Sequence, residues 1–133
     1  MLFTVISAIT FTSCSKDDKP SEPDMTTKVS GEYQGTYKEG EGGSFITIDE
    51  IDATITKVSS SEIKVIIEVF PGLASAEFNA TMDTDTTFTV PEFQLNDERL
   101  QGEGSIQNEN SLNITLEGVS SADYQITYIA ERK

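Results

Sequence analysis

The side chains that carry most biological chemistry are scarce in this 133-residue chain. It has no histidine, so the usual general base near neutral pH and the commonest metal ligand are both missing. Its one thiol is Cys14. Carboxylates stand in two tight groups, Asp49, Glu50 and Asp52 in one, and Asp83 and Asp85 either side of Thr84 in the other. Such oxygen clusters suit calcium, which takes about six to eight oxygen ligands, or an acid and base pair for glycoside hydrolysis. Neither group has the spacing of an EF-hand loop, and aspartate is an ordinary turn former. Lys57 beside the serines at 59–61 pairs a base with hydroxyl nucleophiles in sequence, yet a turn lysine beside turn serines is usually just solvated. The inventory predicts no enzyme, no metal and no cofactor, and it directs attention to binding.

Cys14 points to a different use. Residues 1–13, MLFTVISAITFTS, carry no charge and are mostly apolar. That run is shorter than the ~20 apolar residues that span a bilayer, but it fits the apolar core of a secretory signal. The following SKDDKPSEPDMTTK is polar, carries two prolines and has the composition of a flexible tether. The expected order is a signal peptide at 1–13, a tether at 14–28 and a folded domain at 29–133.

Thr12, Ser13 and Cys14 after this apolar run resemble the lipobox of bacterial lipoproteins, whose cysteine is acylated and becomes the mature N-terminus. Ser15, Lys16, Asp17 and Asp18 are similar to the short Lys-and-acid run that directs one group of Gram-negative lipoproteins to the cell surface. These resemblances imply lipidation of Cys14 and an N-terminal anchor in the outer membrane, facing the cell surface or, as the alternative, the periplasm. Each buried methylene contributes about 0.8 kcal/mol, so two or more acyl chains hold stably where one is marginal.

Charge narrows the partners further. Residues 29–133 carry six Lys and Arg against nineteen Asp and Glu, a net of −13. Such a field repels phosphate backbones, so nucleic acid is not expected as a partner. It favours solubility and can steer cationic ligands.

The elements that must position these residues read as strands, because no stretch keeps a helical period. Alternating segments at 31–38, 44–58, 62–70, 73–82, 87–95, 99–107, 111–119 and 124–132 are separated by Gly, Ser, Asn or Asp. Short connections predict antiparallel neighbours. Eight such strands close most simply into an up-and-down barrel, an all-β fold that removes exposed edges, with a two-sheet sandwich as the alternative. Tyr33, Gly35 and Tyr37 share one face, as do Ile51, Ala53 and Ile55, then Leu112, Ile114 and Leu116, and finally Ile126, Tyr128 and Ala130. Ile46 and Ile48 are out of phase with Ile51, which predicts a bulge at Asp49 and Glu50. Ile66 and Phe70 form a second apolar face on the third strand, expected to be covered by Pro71 and its neighbours.

The opening GEYQGTY, an eight-strand meander and Arg132 near the end of the last strand resemble the calycin group of lipocalin-like and avidin-like barrels. In that group a Gly-x-aromatic opening packs near a basic residue that closes the barrel, roles that would fall to Gly31, Tyr33 and Arg132. An eight-stranded interior is just wide enough to be filled by side chains or to hold one small molecule. Tyr33, Tyr37, Phe78, Phe88 and Tyr128 are the candidate lining for a small apolar or amphipathic ligand, and otherwise fill the core. The alternative is a solid barrel that acts as a surface interaction or accessory protein for an envelope partner. An internal space beyond ~300 Å³ would separate carrier from scaffold.

Overall fold

The computed structural model describes residues 24–70, 72 and 74–133. Cys14, the residues 15–18 and Pro71, on which the anchor, the export tag and the cover of the third strand were placed, lie outside them. Eight strands follow one another without interruption: β1 (Gly31–Glu41), β2 (Ser44–Ser59), β3 (Glu62–Phe70), β4 (Ala74–Met82), β5 (Thr87–Leu95), β6 (Glu98–Gln107), β7 (Ser111–Gly118) and β8 (Tyr124–Arg132). Each pairs antiparallel with its neighbour, and β8 returns to β1, so the sheet is a closed up-and-down barrel and not a sandwich.

Alternation along the strands decides which face is core. Leu112, Ile114 and Leu116 of β7 are buried while Asn113, Thr115 and Glu117 are exposed, and β4 buries Ala76, Phe78, Ala80 and Met82 between exposed polar residues. The apolar set therefore points inward and the polar set outward. A membrane-spanning barrel has the reverse pattern, with an apolar outer band. This barrel stands in water.

Local chemistry sets the irregularities. Gly42 and Gly43, at φ 60° and 91°, form the two-residue turn between paired Glu41 and Ser44. Positive φ at both central residues is what a tight hairpin turn matching the strand twist requires. The predicted bulge is present. Gly35 pairs with Ile51 but Tyr37 with Ile48, so β2 carries one extra residue there, and Glu50 takes φ 57°.

The two ends of the barrel differ. At the end holding the chain's N-terminal side, Asp24–Ser30 folds across the opening, with Thr26 only 1% exposed and Val29 fully buried. Met25 donates its backbone N–H to Ser60, and Asp24 pairs with Lys57 at 2.6 Å. Five residues expected in the tether, 24–28, thus belong to the packed domain. At the other end, the mouth, the β2 side of the β1–β2 hairpin runs past β3, with which it is not paired until Ala53, while β1 stays paired with β8 as far as Glu41.

One seam is incomplete. β4 and β5 share two residue pairs, Thr81 with Thr89 and Met82 with Phe88, whereas β1 and β8 share nine. Toward the mouth the gap is bridged by side chains, with the rings of Phe78 and Phe93 stacked at 4.9 Å. Pro91, which has no N–H to donate, sits in β5 where its register with β6 shifts.

The expectation for the third strand needs correcting. Ile66 is half-buried, but Phe70 is 52% exposed. A register shift between Ile67 and Phe70 sets Phe70 opposite Ala74 at the rim, beyond the end of the packed core.

Candidate functional site at the barrel mouth

The five residues proposed as ligand lining are all buried. Tyr33 and Tyr128 fill the barrel with their hydroxyls satisfied by backbone: Tyr33 donates to Val29 O at 2.7 Å and Tyr128 to Ile51 O at 2.6 Å. Burial pushes both phenols above their usual value of 10.0. Phe88 is fully buried, and Phe78 joins the stack with Phe93. Two of the five also border open space: Tyr37 a recess at the mouth, and Phe88 a groove of about 450 Å³ beside β5, β6 and β7 whose other lining, Asp83, Glu103 and Asn113 among it, is mostly polar.

The trio singled out at the chain ends does come together. The guanidinium of Arg132 lies 5.0 Å from the centre of the Tyr33 ring and donates to the carbonyls of Ser30 (2.7 Å), Lys28 (2.5 Å) and Glu109 (3.0 Å). Gly31 has φ 143°, and a Cβ there would sit 2.4 Å from Arg132 Nη1. A side chain there would be strained at that φ and would push the guanidinium aside. These contacts lock the closed end.

The mouth is built from β1 and β8. The parity that turns Tyr33 and Tyr37 inward also turns Glu39 inward, and on β8 the parity of Ile126 and Tyr128 does the same for Tyr124. Glu39 is half-buried and accepts one phenol on each oxygen, from Tyr37 to Oε1 and from Tyr124 to Oε2, both at 2.5 Å. Burial raises both phenols well above their usual value, and the bond each gives Glu39 raises them further. They stay protonated and keep donating, so the carboxylate is held between two O–H groups. Glu98 and Glu41 add negative potential around Tyr124.

Around this group lies a recess of about 90 Å³, walled by Val69, Phe70, Ala76 and Leu95 as well as Tyr37 and Glu39. Ile46 pairs with Glu39 across the hairpin, so its side chain is on the same face, and it is 66% exposed.

The carboxylate groups flagged in sequence are dispersed. Asp49 accepts from Thr36, Asp52 from Gln34, and Asp83 from Thr89, while Asp85 pairs with Lys28. Among the described residues no three Asp, Glu or Cys side chains converge as a metal site. Lys57 is held by Asp24 at 2.6 Å and is not aimed at the neighbouring serines.

No protein family and no curated protein sequence matches the chain. Solved structures do share its fold. A redesigned β-barrel superposes with a TM-score of 0.60 at 16% identity, covering 86% of this chain and 99% of that one. A second redesigned barrel, mFAP1, bound to DFHBI, gives 0.57 at 15% identity over 84% of this chain and 100% of that one. A protein of Bacteroides fragilis provisionally assigned to the outer membrane gives 0.53 at 14% identity, over 85% of this chain and 54% of that one. At these identities the likeness is one of fold: a small closed β-barrel.

Proposed function

We propose that this chain is a non-enzymatic binding module of the cell envelope, anchored in the outer membrane through acylated Cys14 and offering the barrel mouth to a protein partner. The observation that carries the choice of surface is the distribution of exposed large apolar residues. Phe45, Ile46, Phe70 and Val119 are exposed at the mouth end, against Val58 near the closed end and Ile129 on the wall. Exposed apolar residues concentrated at one end of the barrel, as opposed to scattered singly, favour that end as a contact surface. The chain enters the domain at the closed end, so an anchor at Cys14 would leave the mouth facing away from the membrane. The apolar run before Cys14, the SKDD segment and the fold shared with the Bacteroides fragilis protein support the envelope setting.

A small amphipathic ligand is the second reading, favoured by the mouth recess and by the redesigned barrel of similar fold that is bound to DFHBI. With the interior filled by side chains and about 90 Å³ at the mouth, well under the ~300 Å³ of a small-molecule pocket, such a ligand would seat no more than one end.

The test uses full-length chain in its native envelope. Cys14→Ala should abolish labelled palmitate incorporation and release the protein from membranes. In mild detergent the wild-type chain should migrate as part of a complex larger than itself. Ile46→Ser with Phe70→Ser should release it as free chain, and Val58→Ser with Ile129→Ser should not. Persistence of the complex after the mouth substitutions would overturn the reading.

A further inference from the structure

We propose that the mouth recess is a socket for the charged end of a lysine or arginine side chain presented by the protein partner, with Glu39 as its counter-charge. This rests on the reading of the mouth as the contact surface and names what the partner must bring to it. Three features of the recess select that chemistry.

Size comes first. The recess, about 90 Å³, is well under the ~300 Å³ of a small-molecule pocket, which suits the end of one side chain better than a whole ligand.

Bonding capacity comes second. An ionised carboxylate offers about four acceptor positions, and Tyr37 and Tyr124 occupy one on each oxygen of Glu39. The remaining positions and the two phenol oxygens can accept from an ammonium or guanidinium, which has only donors to offer. Because the phenols already fix the carboxylate, little has to reorganise when the cation arrives. Val69, Phe70 and Leu95 supply an apolar wall for the stem, as long basic side chains commonly lie along such surface.

Charge complementarity comes third. Five ion pairs are formed among the described residues, and none involves Glu39, Glu41 or Glu98. Lys28, Lys57, Arg132 and Lys133 all lie toward the closed end, where each is engaged by a carboxylate or a carbonyl. Of the mouth-side cations, Arg99 pairs with Glu92 and Lys38 lies over the outer ring of Phe45. Among the described residues the mouth thus carries negative charge with no cation paired to it, inside a rim of Ile46 and Phe70. A small charged pocket ringed by apolar side chains is the usual setting of an interface hot spot.

The direct test titrates isotope-labelled protein with N-acetyl-lysine methylamide and with the neutral isostere N-acetyl-norleucine methylamide, followed by NMR at about 0.15 M salt. The lysine probe should shift resonances of upper β1, Leu95 and Tyr124 and bind at least about fivefold more tightly than the norleucine probe, in the millimolar range. Glu39→Gln should remove that preference, and Tyr124→Phe, which keeps the carboxylate, should retain it. Equal binding of the two probes, or shifts scattered over the acidic outer wall, would overturn the socket. So would n-octylammonium binding more than about a hundredfold tighter than the lysine probe, which would make the occupant a free amphipathic amine. In the native complex Glu39→Gln should weaken association about tenfold or more. A complex lost with Ile46→Ser and Phe70→Ser but untouched by Glu39→Gln would sink the socket alone, whereas one that survives both would sink the mouth reading beneath it.

Discussion

The same eight strands end in two different ways. At the closed end the backbone carbonyls of Lys28, Ser30 and Glu109 meet one guanidinium, Thr26 and Val29 are buried, and Asp24 and Lys57 pair. At the mouth, four large apolar side chains are exposed and an inward carboxylate has two phenols and, among the described residues, no cation. Both ends are held by tyrosines and a charged group, Arg132 over Tyr33 below and Glu39 between Tyr37 and Tyr124 above. Among the described residues, Arg132 is met by three carbonyls, whereas Glu39 is met by two phenols and paired with no cation.

The comparison predicts paired responses. Phe88→Ala, in the filled lower half, should cost about 3–5 kcal/mol in urea unfolding, whereas Phe70→Ala at the rim should change stability by no more than about 0.5 kcal/mol. Equal losses would mean that the rim is structural after all. Arg132→Met keeps an apolar stem but removes three hydrogen bonds to carbonyls, and should cost about 2–3 kcal/mol. Its counterpart Lys38→Met loses only an exposed contact with the Phe45 ring, about 0.5 kcal/mol in the same unfolding measurement.

The smallest effect concerns Asp24. Its bond with Lys57, aided by Thr26, holds the carboxyl at about 2, below the usual 3.8. A carboxyl whose folded value is depressed stabilises fully above its unfolded value and loses that contribution as pH falls toward the folded one. Urea midpoints should therefore decline between about pH 4 and pH 2 more in the wild type than in Asp24→Asn. The group is solvent-exposed, so the difference should be slight.

Strand order was legible because the core alternates cleanly in β7 and β8, and because the phase break between Ile48 and Ile51 has no explanation other than an extra residue. The closing segment was hidden by its composition. "DMTTK" looks like tether, and it is the bonds Thr26 gives Asp24 and accepts from Ser30 that allow so polar a residue to be buried. Phe70 was misplaced because alternation says which face a residue takes but not where the sheet ends. The mouth group has a readable signal in that Glu39 continues the parity of Tyr33 and Tyr37, but a glutamate three residues before a Gly-Gly turn looks like solvated hairpin. The thin β4–β5 seam left less trace, since ladder pairing does not show in apolar pattern and Pro91 was its one hint.

That seam and its counterpart have a consequence for how the protein is made. The strands nearest in sequence at the seam, β4 and β5, share two pairs, while the strands farthest apart, β1 and β8, share nine. The ring is therefore held shut chiefly by the joining of its first strand to its last, and bringing together segments so distant in sequence is slow. A chain leaving a ribosome or a translocation channel N-terminus first cannot form the β1–β8 ladder until β8 has emerged. Up to that moment it has no barrel to jam the channel, and its apolar residues must be shielded by something other than its own fold.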